Sequence, residues 1–265
     1  MNETILIVTP FRNEDHSIPY YIEVLNNLTY PHDLIDVYWL ENDSTDNTTE
    51  ILMQHYDKHD FRNLCFDSVD ILMKKPVKRK PGAYWKDIPY RVRRRGIAWL
   101  AVWNDYLMPA IQKSSCDYVL VWFADGIPPA DVIEEYLKIF NEYDDAGWVG
   151  GGMHRRHPKH NEICSPRPRW PLAKGEITEV RITSHVWMNQ RGLLEKCNFR
   201  RVERSTDMHM SLSRDIANMG YKIYYTPDVY IYHVSTDGKI YNPQGKVIYN
   251  ERTFRVDKKA EQTSR

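Results

Sequence analysis

Short apolar runs alternate with helix-forming stretches through the first half of this 265-residue chain. The segment TILIVTP at residues 4–10 is continuous, β-branched and closed by a proline, which is typical of a buried strand. The segment at residues 17–31 then places apolar side chains at helical spacing, with Ser17 as a candidate N-cap. Strand and helix patterns continue to alternate up to residue 140. This alternation predicts an α/β fold in which a parallel sheet carries helices on both faces.

The remaining elements follow from the same periodicities. The predicted strands cover residues 35–41, 64–72, 116–123, 146–153, 179–189, 221–227 and 229–234. The predicted helices cover residues 44–56, 93–111, 128–140 and 207–220. Turn residues around Asn242–Gly245 predict a C-terminal β-hairpin, and the polar tail after Arg252 is expected to fray. Because no internal repeat is present, one domain over residues 1–265 is the simplest organisation.

Composition excludes several classes of protein. The chain has 36 Lys and Arg against 36 Asp and Glu, so its net charge alone predicts no nucleic-acid or membrane partner. Its four cysteines form no C-x-x-C pair, which argues against a zinc finger and favours reduced thiols. No segment has the length of a signal peptide or of a membrane span. We therefore expect a soluble cytoplasmic protein.

Polar residues directly follow three of the predicted strands. They occur at residues 9–15, 41–47 and 123–129, with the sequences TPFRNED, ENDSTDN and FADGIPP. In open α/β sheets, ligands bind beyond the carboxyl ends of the strands. One residue of the Ser44–Asp46 run is expected to cap the following helix, but capping does not account for Asp43 or for the other two clusters. We therefore expect a ligand site at this edge of the sheet.

These three motifs, in this order, resemble the nucleotide-sugar-binding half of GT-A fold glycosyltransferases with a family-2-like pattern. The run TYPHDLIDVYWLENDSTDNT at residues 29–48 is also similar to the fungal mannan-polymerase type of mannosyltransferase. The resemblance spans residues 4–233 and implies a Rossmann-like, mostly parallel sheet. It divides the domain into a nucleotide-sugar-binding half at residues 1–125, an acceptor and catalytic half at 126–235, and a hairpin with a polar tail at 236–265.

The resemblance also implies roles on the donor side of the site. Asp43 matches the carboxylate that hydrogen-bonds the nucleotide base, and a carboxylate is a good acceptor for a ring N–H. Asp125 matches the last residue of the D-x-D element, which in the family holds Mn²⁺ or Mg²⁺ on the donor diphosphate. The predicted donor-binding residues are Thr9, Pro10, Arg12, Asn13, Glu14, Asp43, Ser44, Arg94 and Asp125.

The D-x-D element departs from the family pattern, because Phe123 stands where the first aspartate is expected. Only one carboxylate then remains for the metal. His233, at the end of the VYIYHV run, is the second predicted metal ligand beside Asp125, since a histidine after the last core strand serves this role in some relatives. The alternative for His233 is ordinary packing.

The predicted general base is Asp207. Inverting members of the family use a carboxylate to remove the proton of the acceptor hydroxyl as it attacks the anomeric carbon. That carboxylate usually belongs to a Glu-Asp pair at the start of a helix that ends in Gly-Tyr. The run at residues 205–223 matches this frame, with Thr206 in place of the glutamate. The alternative is that Asp207 only caps the helix.

A basic stretch at residues 74–95 holds ten Lys or Arg and one Asp, with aromatic residues between them. It is interpreted as a solvated loop, a clamp on the diphosphate or a track for an anionic acceptor. A second basic segment begins at His154, where arginine contacts to phosphate are favoured over a histidine metal site. The predicted acceptor-binding residues are Arg155, Arg156 and Trp187.

The leading hypothesis is a nonprocessive, metal-dependent glycosyltransferase, hexosyl transfer being favoured, that uses a UDP- or GDP-linked sugar. It lacks the Q-x-x-R-W element and the membrane helices of processive relatives. The first alternative is a DNA- or RNA-modifying glycosyltransferase that uses the 74–95 stretch, for which a steep salt dependence of binding is expected. The second is a catalytically inactive nucleotide-sugar-binding module, and a nucleotidyltransferase is a weaker enzymatic alternative.

Overall fold

The predicted alternation is present in the computed structural model, which describes residues 2–71, 98–153, 175–183, 185–200, 209–236 and 238–241. The first-half strands are β1 (Ile5–Phe11), β2 (Ile35–Asn42), β3 (Asn63–Val69) and β4 (Tyr118–Trp122). The helices between them are α1 (Ile18–Asn26) and α2 (Thr48–Tyr56). Strand β1 is fully buried, because helices cover both faces of the sheet at this position.

Strands β1 to β4 form the parallel part of the sheet, in the spatial order β3-β2-β1-β4. The register of β1 and β2 pairs Ile5 with Ile35 and Phe11 with Glu41. All four strands therefore end at the same edge, where the three polar clusters begin. The mostly parallel α/β architecture predicted from the sequence is confirmed.

The second half continues the sheet with mixed pairing. It contains β5 (Gly126–Ile127), β6 (Ala146–Met153), β7 (Thr178–Val180), β8 (Val186–Gln190), β9 (Lys222–Val234) and β10 (Ile240–Tyr241). Strand β8 runs antiparallel between β4 and β6, and β9 pairs in parallel with β6. Strand β10 pairs with the end of β9, whereas the hairpin predicted at Asn242–Gly245 lies outside the described residues.

Two of the predicted strand boundaries are wrong. Residues 179–189 do not form one strand: β7 pairs with β9, β8 pairs with β4, and His185 between them has a left-handed backbone with φ of 73°. Conversely, the two strands predicted around Pro227 are one strand, β9, with an irregular register opposite Gly151 and Gly152. A Cβ on Gly151 would lie 2.4 Å from the Val229 carbonyl oxygen, so only glycine allows this close approach.

Three of the remaining helices overlap predicted ones, whereas the short helix at Arg191–Leu194 was not predicted. The remaining helices are α3 (Met108–Lys113), α4 (Val132–Glu142), α5 (Arg191–Leu194) and α6 (His209–Asn218). A π-helix at Val102–Leu107 leads directly into α3. Pro109 explains the wider winding, because proline has no N–H to donate to the preceding turn. Gly220, with φ of 85°, follows α6 as predicted.

Aromatic side chains fill the core on both faces of the sheet. On one face, Tyr21 packs edge-on against Trp122 at 4.8 Å and receives the indole N–H of Trp39 at 3.0 Å. On the other face, Trp103 stacks on Phe199 at 4.1 Å. Among the helices of the described segments, none has the length and hydropathy that a membrane crossing needs.

Candidate functional site

The first loop of the candidate site begins where β1 ends. The side chains of Thr9 and Pro10 are buried, and the hydroxyls of Thr9 and Tyr21 hydrogen-bond at 2.9 Å. The exposed part of the loop starts at Arg12 and continues with Asn13, whose backbone is left-handed with φ of 55°. Of the predicted donor-binding residues in this loop, Arg12 and Asn13 are thus the solvent-facing ones.

The second loop leaves β2 through a buried glutamate. Glu41 is only 3% exposed, and its carboxylate accepts hydrogen bonds from the Ser44 N–H at 2.8 Å and from the Ser68 hydroxyl. Asp43, the next acidic residue, has a left-handed backbone with φ of 50° and donates its N–H to the Val69 carbonyl. Glu41 therefore shapes the loop, whereas Asp43 stands at its turn.

Four hydrogen bonds from backbone N–H groups tie the two loops together. The Asn13 N–H donates to the Ser44 hydroxyl at 3.1 Å, and the Asn13 side-chain oxygen accepts the Thr45 N–H at 2.8 Å. Further along, the N–H groups of Glu14 and Asp15 donate to the side chains of Thr48 and Asp46. The two strand ends therefore present one continuous rim to a ligand.

Asp46 has a structural part in this rim. Its carboxylate also accepts the Thr48 N–H at 3.1 Å at the start of α2, which is the capping role expected for one residue of the Ser44–Asp46 run. Burial alone would raise the pKa of Asp46, but hydrogen bonds from Thr48 and Asp15 outweigh it and lower the pKa. Asp46 consequently stays charged at neutral pH and holds both loops.

The third cluster places Asp125 beside His233. The Gly126 N–H donates to the Phe123 carbonyl, and the Val234 N–H donates to the Asp125 carbonyl, so a tight turn is attached to β9. Strand β5 continues this attachment, since Gly126 pairs with His233. As a result, His233 Nε2 lies 3.3 Å from Asp125 Oδ2.

The charge of Asp125 depends on its histidine neighbours. Its side chain is 26% exposed and that of His233 is 7% exposed. Burial would raise the pKa of Asp125, but the hydrogen bond with His233 and the charges of His185 and His233 lower it. Asp125 is therefore a carboxylate at neutral pH, which is the form that binds a cation.

The pair Asp125 and His233 fits part of a divalent metal site. Two adjacent ligands at about 2.1 Å from one octahedral cation lie about 3 Å apart, which is close to the observed contact. Within the described residues, however, no group of three or more His, Cys, Asp or Glu side chains is arranged to hold a metal. The protein would supply two ligands, and a bound diphosphate and water would have to supply the others.

The Phe123–Asp125 turn and His233 form one corner of the site, called here the Asp125 corner. Two further histidines, which the motifs did not predict, lie at this corner. His185 is 5.8 Å from Phe123 and 6.1 Å from His233 between ring centroids. His209, the first residue of α6, is 6.0 Å from Phe123. The sequence signal for His185 was weak, because it sits inside an apolar run that was predicted to be one strand.

The predicted acceptor-binding residues are placed only in part. Trp187 is fully buried below this corner, between Trp103 at 6.0 Å and Trp148 at 4.9 Å. Four predicted site residues are not among the described residues: they are Arg94, Arg155, Arg156 and Asp207. The same holds for the basic stretch at 74–95.

Sequence comparison relates part of the chain to fungal proteins. The family model described as Anp1 matches residues 1–139. The chain is 47% identical over 55 residues to the mannan polymerase II complex anp1 subunit of Schizosaccharomyces pombe, which is 21% of this chain and 13% of that protein. It is 40% identical over 53 residues to the ANP1 subunit of Saccharomyces cerevisiae, which is 20% of this chain and 11% of that protein. These matches cover a small part of each relative's own length.

Structural comparison identifies the fold. The mannosyltransferase PcManGT from Pyrobaculum calidifontis, in complex with GDP-Man and Mn²⁺, has a TM-score of 0.54 and 18% identity, over 85% of this chain and 55% of that one. S. aureus TarS 1–349 in complex with UDP has a TM-score of 0.52 and 14% identity, over 84% of this chain and 60% of that one. The fold predicted from the sequence, of GT-A type, is confirmed.

Proposed function

Because the chain belongs to the Anp1 family, we propose that it is a nonprocessive glycosyltransferase that moves a sugar from a nucleotide-sugar donor to an acceptor hydroxyl. The observation that carries this proposal is the contact of Asp125 with His233 at the edge of the sheet where the loops after β1 and β2 are joined. A donor needs a place for its base and a place for its diphosphate. The joined loops and the Asp125 corner offer the two places at one edge.

The nucleotide is assigned to the joined loops. Asp43 accepts a hydrogen bond from the base, and the loop with Arg12 and Asn13 contacts the ribose and base. PcManGT is named as a complex with GDP-Man and TarS as a complex with UDP, so a GDP- or UDP-linked sugar is the donor class proposed for this chain. The buried positions of Thr9 and Glu41 make them supports of the loops.

The diphosphate is assigned to the Asp125 corner. Mn²⁺ or Mg²⁺ would be held there by Asp125 and His233, and when bound it supplies positive charge that stabilises the leaving diphosphate. The name of the PcManGT complex, which includes Mn²⁺, supports a divalent metal. Imidazole ligation favours Mn²⁺ over Mg²⁺, since Mg²⁺ is bound mainly by oxygen.

The proposed reaction inverts the configuration at the anomeric carbon of the transferred sugar. Asp207 removes the proton of the acceptor hydroxyl while the hydroxyl oxygen bonds to the anomeric carbon from the face opposite the diphosphate; the bond from that carbon to the diphosphate oxygen breaks, and the nucleoside diphosphate leaves. Asp207 comes two residues before His209, the first residue of α6, and His209 lies beside Phe123. The position of His209 supports a general base close to the Asp125 corner.

Calorimetry with GDP and UDP, with and without Mn²⁺, tests the donor site. We expect one nucleotide to bind more tightly with Mn²⁺, and we expect Asp125→Ala to abolish this gain. Asp131→Ala, at the start of α4, is the control and should keep it. An unchanged gain in Asp125→Ala would remove Asp125 from the metal site.

A second candidate is an inactive nucleotide-sugar-binding module. The observation that favours it is Phe123, which replaces a carboxylate and packs edge-on against Trp99 at 5.4 Å. Sugar transfer and donor hydrolysis distinguish the candidates, because a module binds the donor without either reaction.

A further inference from the structure

His185 occupies a strained position beside the Asp125 corner. Its φ of 73° lies in the left-handed region, which side chains other than those of Asn, Asp and His seldom adopt. Residues held in such conformations cluster at ligand sites, where the surrounding structure maintains them. The backbone conformation of His185 therefore indicates a functional position.

Strand pairing determines where this histidine lies. The last pair of β4 and β8 is Trp122 with Val186, and the Phe123 N–H then donates to the His185 carbonyl at 2.8 Å. His185 is therefore hydrogen-bonded through its backbone to Phe123, the residue that stands in place of the first carboxylate of the D-x-D element. Its ring is 5.8 Å from the Phe123 ring and 6.1 Å from the His233 ring.

A site for an anion with two phosphates needs few carboxylates and some hydrogen-bond donors. Asp125 is the only carboxylate of the Phe123–Asp125 turn, and His185, which directly precedes β8, and His233 of β9 lie near it. A second carboxylate would repel a diphosphate, whereas an imidazole N–H can donate to a phosphate oxygen. With Phe123 in place of a second aspartate, the Asp125 corner is therefore less negative than a D-x-D element with both carboxylates.

We propose that the His185 imidazole donates a hydrogen bond to a phosphate oxygen of the donor's diphosphate, which makes His185 a donor-binding residue. This inference rests on the proposed function. A role as third metal ligand is less consistent with the geometry, because the described residues contain no three-ligand group suited to a metal.

The test is calorimetric titration of GDP, GMP and guanosine, or of the uridine series if UDP is the nucleotide that binds. Each is measured in Mn²⁺ and in EDTA. The variants are His185→Gly, which accepts the left-handed backbone freely, and His185→Asn, which tolerates it. His55→Asn, in the last turn of α2, is the matched control.

We expect both His185 variants to bind the diphosphate about tenfold more weakly, which corresponds to about 1.4 kcal/mol. The loss should appear in both buffers, guanosine affinity should stay within about twofold, and melting temperatures should be close to wild type. The control should bind every compound as wild type does.

Three results would overturn the inference. Unchanged diphosphate affinity would exclude the contact, a loss confined to Mn²⁺ would make His185 a metal ligand, and an equal loss for guanosine would make its role structural. If the wild-type protein itself binds no nucleotide in either buffer, the proposed function fails, and this is seen without any variant.

Discussion

Asn13 and Asp43 have the same left-handed backbone conformation at the ends of neighbouring parallel strands, with φ of 55° and 50°. Because Phe11 pairs with Glu41 in the β1–β2 register, the two residues stand at equivalent positions just beyond the last pair. Apart from glycine, Asn and Asp are among the residues that tolerate this conformation best. The two loops consequently turn alike and meet where the Asn13 N–H donates to the Ser44 hydroxyl and the Thr45 N–H donates to the Asn13 side-chain oxygen.

The conformation of Asp43 decides which substitution tests its role. Alanine would add backbone strain, whereas Asp43→Asn tolerates the left-handed conformation and keeps an oxygen for the Asn42 side chain, which donates at 3.1 Å. We expect Asp43→Asn to weaken binding of the free nucleotide by about 1 kcal/mol, because the bond from the base then goes to a neutral acceptor instead of a charged one. Calorimetry measures this, with Asp33→Asn as an exposed control.

The loss in Asp43→Asn should be the same with and without Mn²⁺, since the proposed partner is the base. A loss that appears only with metal would assign Asp43 to the phosphate side.

Asn13 is expected to stabilise the joined loops. Asn13→Ala removes the acceptor of the Thr45 N–H and leaves alanine in a left-handed conformation, so the free energy of unfolding should fall by about 1–3 kcal/mol. Asn13→Gly should lose less, because only the hydrogen bond is removed. Urea denaturation compares both with Asn47→Ala, whose side chain makes no capping bond and should change stability by less than about 0.5 kcal/mol. Equal losses in Asn13→Ala and Asn13→Gly would exclude the backbone contribution.

Much of the fold could be predicted because hydrophobic periodicity decides it. The strand Ile5–Phe11 is buried on both faces of the sheet, as the unbroken apolar character of the run at 4–10 indicated. Single-residue backbone geometry was less accessible. Nothing in the periodicity of residues 179–189 indicates that His185 turns left-handed, and Pro227 suggested a strand end where β9 continues through an irregularity opposite glycine.

The site was predictable at the level of its clusters but not of its contacts. The polar residues after β1 and β2 do meet, because parallel strands end together. The different roles of the three acidic residues could not be predicted, because nothing in the sequence distinguishes Glu41, Asp43 and Asp46. Only the packing makes Glu41 a buried acceptor and gives Asp46 two backbone partners.

Asp215 should make stability depend on acid pH. Arg200 donates to both carboxylate oxygens of Asp215, and this lowers the pKa of Asp215 against the opposing effect of burial. The contribution is present above the unfolded pKa of about 3.9 and is lost as pH falls through the lower folded value. Asp215→Asn should therefore be destabilised by about 1 kcal/mol at pH 7, because Arg200 is partly exposed, and by less near pH 3.

Urea denaturation of Asp215→Asn at both pH values checks this. Glu135→Gln, which loses the exposed pair with Lys138 on α4, is the control and should change stability by less than about 0.5 kcal/mol. A difference from wild type that stays constant between pH 7 and pH 3 would show that the charge of Asp215 is not its cause.

Asp207→Asn tests the proposed general base. An amide keeps the size and much of the capping ability of the carboxylate, so the fold should survive, but it cannot accept a proton at neutral pH. Removing a general base costs about 10²–10⁴-fold in rate, so turnover should fall by at least that lower factor. Donor affinity should be nearly unchanged, because the base faces the acceptor side of the anomeric carbon.

The assignment of Asp207 depends on three measurements made together: turnover, nucleotide-sugar affinity and melting temperature. A fall in turnover of less than about tenfold would make Asp207 a helix cap and place the base elsewhere. A melting temperature that falls together with activity would make the residue structural. Because affinity, folding and proton transfer are lost for different reasons, only lost turnover with retained binding and folding agrees with a base that acts on the acceptor hydroxyl.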